Sequence, residues 1–345
     1  MAVGSGDRAA MTGAAPSVPC AIYAVADRDY FIGAVALLNS LRLVGHHEPV
    51  FLVDAGLTEG QRRLIAPHVR LIPAPEGVHP VFLKMLGPLE HPAGVAILLD
   101  TDMIVVRPLM ELIAVAQGGR LVGFVNNPPN DDRFFAEWSG VLGLGPLRRQ
   151  PYLAAGQLLV PHALTRRLFT RWTEGQAKID VERTWIGRGT LADPFYFADM
   201  DVFNAVVAAD LQADEILAVE HRLAPNPPFA GLTLVDPRGL VVRYADGSRP
   251  FLLHHILSKP WLKATRTNLY SMLLPRVLLA PDVALRLTPE QLPLRLRDGW
   301  MAGVDRRRAD TQAFLYSEGR RRLGALQIRT RLAERRGRRG GGPGG

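Results

Sequence analysis

The chain has 345 residues, 48% of them apolar and 21% charged, with a formal net charge of +8. That balance describes a globular protein with a substantial core, and no uninterrupted apolar run approaches the roughly 18 residues of a membrane-spanning helix. The charge surplus sits at one end. Residues 301–345 hold 12 Arg and 4 acids, while the preceding 300 residues hold 29 basic and 29 acidic side chains. The body is therefore neutral, and its charge gives no reason to expect a nucleic-acid partner. The single cysteine, Cys20, excludes an internal disulfide and fits a reducing compartment. The opening MAVGSGDRAAMTGAAPSVP lacks the apolar centre of a secretory signal, so the expectation is a cytoplasmic protein.

Taken in order, the first element is a buried strand over Cys20–Val25, followed by the polar turn ADRD. Helical spacing then runs over Tyr30–Leu43, with Ile32, Val35, Leu38 and Leu41 on its apolar side. A second strand, Pro49–Val53, ends in DAG. Thr58 is placed to cap a short helix, and Val69–Ile72 makes a third strand. Further strands are expected at Val95–Leu99, Leu121–Val125, Gln157–Val160, Leu240–Arg243 and Phe251–His254, with helices near Leu164–Glu174 and Asp201–Asp210. This alternation predicts an α/β domain with a mainly parallel, Rossmann-like sheet. In such sheets ligands gather beyond the carboxyl ends of the strands, which here are Asp27–Asp29 and Asp100–Asp102.

AILLDTDMIVVRPL, residues 96–109, carries the sharpest signal. Two carboxylates one residue apart at a strand end repel each other unless a cation or proton lies between them. The triplet has three readings by itself: a solvated turn, a site for a divalent ion that also binds a substrate diphosphate, and a phosphatase nucleophile of the haloacid-dehalogenase type. The phosphatase motif belongs on a first core strand, with Thr or Val two residues after the second Asp. Here the strand is about the fourth and that position is Ile104.

Three later stretches join it. PYLAAGQLLV (151–160) has Gly156 where a backbone can approach a ligand. FADMDVFNAVVA (197–208) spaces Asp199, Asp201 and Asn204 over a helix start. LLHHILSKPWL (252–262) places two histidines and Lys259 in a turn after a strand. In this order and spacing, with AIYAVADRDYFIGAVALLNSLR before them and LAPNPPF (223–229) between, the motifs over residues 20–265 resemble the nucleotide-sugar glycosyltransferases of the GT-A fold. The resemblance is to family 8, the group of glycogenin and the bacterial lipooligosaccharide galactosyltransferases.

The resemblance implies a donor site for a UDP-sugar formed by Ala24, Asp27, Tyr30, Lys84, Asp100, Thr101, Asp102, Gly156 and Lys259. The helix ending in Asn-Ser-Leu belongs to the same nucleoside-holding opening. Asp100, Asp102 and a histidine, His254 by spacing or else His255, would hold manganese or magnesium. Lys259 would touch the diphosphate, and Asp199 would lie near the transferred sugar and the acceptor. The implied reaction is transfer of a hexose to an acceptor hydroxyl with retention of anomeric configuration. Its logic is general: cationic groups stabilise charge on a departing diphosphate, and carboxylates help an oxocarbenium-like carbon.

Four positions depart from the family pattern. Ala154 replaces an asparagine, Met200 replaces a glutamine, and the turn before Lys259 is one residue short and lacks its glycine. Ala154 and Met200 together suggest a second reading, a nucleotide-sugar binding protein without turnover. The expected organisation is a flexible 1–19, a GT-A domain over 20–265, a helical extension over 266–336 and a disordered 337–345. The insertion at 124–150 suits an acceptor lid. The arginine-rich end is a solvated tail or a weak contact with an anionic membrane surface, at the cytosolic face.

Overall fold

The computed structural model describes residues 16, 18–128, 130–256, 258–263, 265–297, 299–312, 314 and 315. Residues 1–15, the part of the expected C-terminal helix beyond 315, and the 337–345 tail lie outside the described residues.

The first half of the chain alternates as its apolar pattern dictates. Strand β1 (Cys20–Ala26) is buried at all but one position, the mark of a strand covered on both faces. Helix α1 (Phe31–Leu43) and β2 (Val50–Asp54) follow. Helix α2 (Glu59–Ile65) starts at the predicted cap: the Thr58 side chain accepts the Gln61 N–H, and the Gln61 side chain accepts the Thr58 N–H. That reciprocal pair satisfies two otherwise orphaned donors. Next come β3 (Arg70–Pro73), α3 (Leu86–Glu90) and β4 (Val95–Leu99), the last buried throughout.

A short strand β5 (Met103–Val105) follows the Asp-Thr-Asp turn, then α4 (Met110–Gln117), β6 (Leu121–Val125) and α5 (Glu137–Leu142). Strand β7 spans Leu153–Pro161, longer than its sequence signal, and every position is buried. Helices α6 (His162–Gln176) and α7 (Ala198–Asp210) lead to β8 (Ile216–Val219). The remainder comprises β9 (Leu232–Asp236), β10 (Val241–Tyr244), β11 (Leu252–His254) and α8 (Leu269–Leu279).

The chain divides into two units. The first takes residues up to 34, 46–101 and 108–224; the second takes 35–45, 102–107 and the chain from 225 on. In the first unit the sheet order is β3-β2-β1-β4-β7-β6-β8. Pairing is parallel except where β7 meets β4 and β6. Six strands therefore run one way and β7 alone runs the other, so the sheet is mainly parallel as expected. Its core joins Tyr23, Phe51, Leu98, Leu158, Trp138, Trp172 and Phe203, with Trp172 and Phe203 ring centroids 4.8 Å apart.

In the second unit β5 pairs antiparallel with β11, and β9 with β10. Asn39, fully buried, organises this unit. Its amide donates to the carbonyls of Val277 and Leu285 at 2.7 and 2.8 Å and accepts the Leu285 N–H at 2.9 Å. Among the described residues, no helix is long and apolar enough to cross a membrane.

Candidate active site

In the first unit, the carboxyl ends of β1 and β4 and the start of β7 supply the candidate residues. Asp27 leaves β1 and accepts the backbone N–H groups of Asp29 and Tyr30, both at 2.9 Å, which fixes the turn into α1. Ala24 is buried on β1, and Tyr30 is half-buried at the start of the helix. The turn after β4 is held from two sides. The Asp100 N–H donates to the Gly156 carbonyl on β7 at 2.8 Å, and the Thr101 hydroxyl donates to the Val25 carbonyl on β1 at 3.1 Å.

Asp100 keeps a side chain about one-third exposed. Lys84 Nζ lies 2.9 Å from Asp100 Oδ1 and 2.9 Å from Asp199 Oδ2, so one buried ammonium bridges two carboxylates 99 positions apart in the chain. Burial would lower the ammonium's pKa, but the two carboxylates outweigh it and hold it above the usual lysine range. Asp199 shows the opposite balance: burial raises its carboxyl's pKa and Lys84 only partly opposes this.

Asp199 is positioned by its own backbone. Its carbonyl accepts the Trp172 indole N–H at 2.9 Å, and the preceding Ala198 has a φ of +23°. An alanine there is strained, a condition that tends to cluster at functional sites. Two residues on, Asp201 is fully buried and pairs with Arg133, whose Nε and Nη2 lie 2.7 and 3.1 Å from its two oxygens. Asp201 also accepts the Tyr152 hydroxyl at 2.8 Å and the Phe197 N–H at 2.7 Å. Asn204 exchanges two 2.8 Å bonds with the Leu153 backbone and so clamps the first residue of β7. Asp201 and Asn204 are thus structural supports for the helix start that carries Asp199 and Met200. Arg133 lies outside every motif, and Tyr152, though inside PYLAAGQLLV, carried no signal as a partner of Asp201.

In the second unit, Asp102 precedes β5 and His254 ends β11, and the antiparallel register sets His254 opposite Met103. His254 Nε2 lies 3.1 Å from Asp102 Oδ1, and Lys259 Nζ donates to Asp102 Oδ2 and, at 2.5 Å, to the His255 carbonyl. Burial pushes the Asp102 carboxyl up, but His254 and Lys259 together hold it well below the usual carboxylate range.

The adjacent histidine has a different role. His255 turns toward Phe229 and Tyr270, with ring centroids at 6.3 and 5.1 Å, and its Nε2 lies 3.1 Å from the Asn268 amide. Burial, then Lys259, pushes its pKa down to about 4. The imidazole facing Asp102 is therefore His254. Asn39 and Ser40, part of the predicted nucleoside-holding helix, turn their polar atoms to backbone instead. Ser40 Oγ donates to Leu37 and accepts the Val105 N–H at 3.0 Å.

The donor chemistry suits a divalent ion. Asp102 Oδ1 is buried and faces an imidazole nitrogen at 3.1 Å. Carboxylate oxygen and imidazole nitrogen are both ligand types that divalent metal ions accept.

Neither a protein-family model nor a curated protein matches the sequence. Solved structures do. An active-site mutant of LgtC is similar with a TM-score of 0.51 at 15% identity, over 79% of this chain and 98% of that one. The bifunctional glycosyltransferase WbbM is similar with a TM-score of 0.51 at 14% identity, over 77% of this chain and 50% of that one. LgtC, a galactosyltransferase, has also been solved with donor and acceptor sugar analogues, and that structure gives a TM-score of 0.49 at 16% identity, over 76% and 98% of the two chains. The two likenesses with TM-scores of 0.51 establish the GT-A fold.

Proposed function

We propose that the chain is a metal-dependent glycosyltransferase that moves a hexose from a UDP-sugar to an acceptor hydroxyl with retention of configuration. One observation carries the reading: Asp102, buried and held ionised, keeps its Oδ1 3.1 Å from His254 Nε2, an acid and an imidazole brought together by two distant stretches of the chain. The fold shared with LgtC and WbbM supports it.

In this reading Asp100, Asp102 and His254 hold manganese or magnesium; each carries a ligand atom of the right type. The ion, when bound, supplies positive charge to the diphosphate as it departs. Lys259 is released from Asp102 to contact the diphosphate. Asp27 and Tyr30, at the β1 end, flank the uracil, beside Ala24 and Thr101, while Gly156 lets the β7 backbone approach the sugar. Lys84 orients Asp199, whose carboxylate faces the transferred sugar. The arginine-rich end makes weak contact with an anionic membrane surface from the cytoplasmic side.

Ala154 and Met200 favour a second reading, a nucleotide-sugar binder without turnover. Ala154 is buried and Met200 packs on the core, and neither side chain can hydrogen-bond a sugar.

Thermal unfolding with manganese and a panel of UDP-sugars tests the proposal, beside Asp102→Ala and His254→Ala. The expected result is a metal-dependent upward shift for at least one donor, lost in both variants, with UDP released on turnover. Absence of any shift in the unaltered chain sinks the reading, and a shift without UDP release favours the binder.

A further inference from the structure

Trp185 is 47% exposed, yet the loop that carries it is tightly built. Thr184 beside it is fully buried, and its hydroxyl donates to the Val181 carbonyl at 2.7 Å. The N–H groups of Gly187 and Gly189 both donate to the Thr184 carbonyl at 3.1 Å, and that of Arg188 to Glu182 at 2.7 Å. A Cβ on Gly189 would lie 1.9 Å from the Arg183 carbonyl oxygen, and one on Gly187 would lie 2.5 Å from Glu182 Cα. Neither glycine can be replaced without moving the loop. A large apolar side chain gains stability from burial. Here a rigid scaffold holds one in water, as ligand-binding loops do.

The surroundings point to the candidate site. The indole meets His79 edge to face, with centroids 5.9 Å apart, and His79 meets Phe82 likewise at 6.2 Å. Two residues past Phe82 is Lys84, which lies 2.9 Å from Asp199. The Trp185 backbone N–H donates at 2.9 Å to the Tyr196 carbonyl, three residues before Asp199 in the chain. The Asp199 carboxylate is within electrostatic reach of the His79 imidazole. His79 therefore links the indole to the carboxylate assigned to the sugar.

We propose that Trp185 and His79 form an aromatic platform for a pyranose ring of the acceptor, which makes the acceptor a saccharide. The inference rests on the sugar-transfer reading and adds the acceptor's class. One face of a pyranose is a patch of C–H groups with slight positive charge, complementary to the electron-rich face of an indole. A ring held rigidly before binding loses little side-chain entropy when the sugar arrives. The sugar's hydroxyl rim remains free for polar partners such as Asp199.

Saturation-transfer NMR on the full chain tests this with lactose and methyl β-D-glucopyranoside as probes and glycerol as the control. Trp185→Ala and Trp185→Phe are compared with the unaltered chain and with Trp300→Ala, which alters another exposed indole. Transfer to ring C–H protons is expected in the unaltered chain and in Trp300→Ala. Binding should weaken about tenfold in Trp185→Ala and largely persist in Trp185→Phe. Equal binding by Trp185→Ala overturns the platform, and so does a lack of transfer to either saccharide. Calorimetry of UDP-sugars with manganese is run in parallel. A chain that binds glycosides but no UDP-sugar refutes the transferase reading and leaves the platform standing; the converse refutes the platform alone.

Discussion

Lys84 Nζ lies 2.9 Å from Asp199 Oδ2 in a pocket where both side chains are largely buried. With Asp100 on its other side, this ammonium is the compensating charge for two acids. Removing it leaves Asp199 buried among apolar atoms with a carboxyl whose pKa is already raised. Lys84→Met is expected to lower UDP release at least a hundredfold and to destabilise the chain by about 3–5 kcal/mol. Adding Asp199→Leu should restore most of the stability and none of the activity. Urea unfolding and a UDP-release assay check the two halves separately.

Arg133 and Asp201 allow a cleaner stability test, because neither is assigned to substrate. Asp201 is fully exposed to the consequences of losing its partner, being fully buried itself. Arg133→Met should cost about 3–5 kcal/mol, and the double variant Arg133→Met/Asp201→Leu should cost clearly less than the two single changes summed. Additive costs would mean that the pair does not interact as an isolated buried unit.

The alkaline limb of stability follows from β1. Burial, then Glu48, pushes the Cys20 thiol up to about 12, and burial also raises the Tyr23 phenol. A group whose folded pKa exceeds its unfolded value contributes stability below the unfolded pKa and loses it as pH rises toward the folded one. Stability should therefore fall progressively from about pH 9 toward pH 12. Cys20→Ala should flatten that slope, as read by denaturant unfolding at several pH values. A slope unchanged by the substitution would count against the assignment. The native thiol should also resist a disulfide reagent at pH 8 that modifies the unfolded chain rapidly.

Met200→Gln tests the departure from the family pattern. The side chain is only partly buried against the core, so the change should cost little stability. Turnover is expected to rise several-fold, read as UDP release at saturating donor. No change would mean that residue 200 is remote from the reacting carbon.

Much of the arrangement was legible in the sequence because it depends on local chemistry. The apolar run of β4, the aspartates that end it, the Thr58 cap and the Asp27 turn are all set by neighbours within a few residues. The two halves of the Asp102–His254 pair were also visible as motifs, though their register depends on β5, three residues too short to leave a pattern of its own. Long-range partners were hidden. Lys84 joins Asp199 across 115 positions and Arg133 joins Asp201 across 68. Such pairs are created by strand order, which no single stretch encodes. The partners of the Asn-Ser in α1 were hidden for a related reason: the resemblance made this helix part of a nucleoside-holding opening, and buried backbone of the second unit meets their polar atoms.

The reversed direction of β7 has a consequence for how such a protein can diversify. Its antiparallel register sets Leu99 opposite Gln157, so the chain enters β7 at the rim where β4 delivers Asp100. Whatever precedes Leu153 is thus discharged at the functional end of the sheet. The connection from 126 to 152 can lengthen, shorten or change sequence while the strand register stays fixed, provided that Tyr152 and Arg133 keep hold of Asp201. A lineage of such chains could explore new acceptors through that one segment, leaving the donor-side architecture as a constant inheritance.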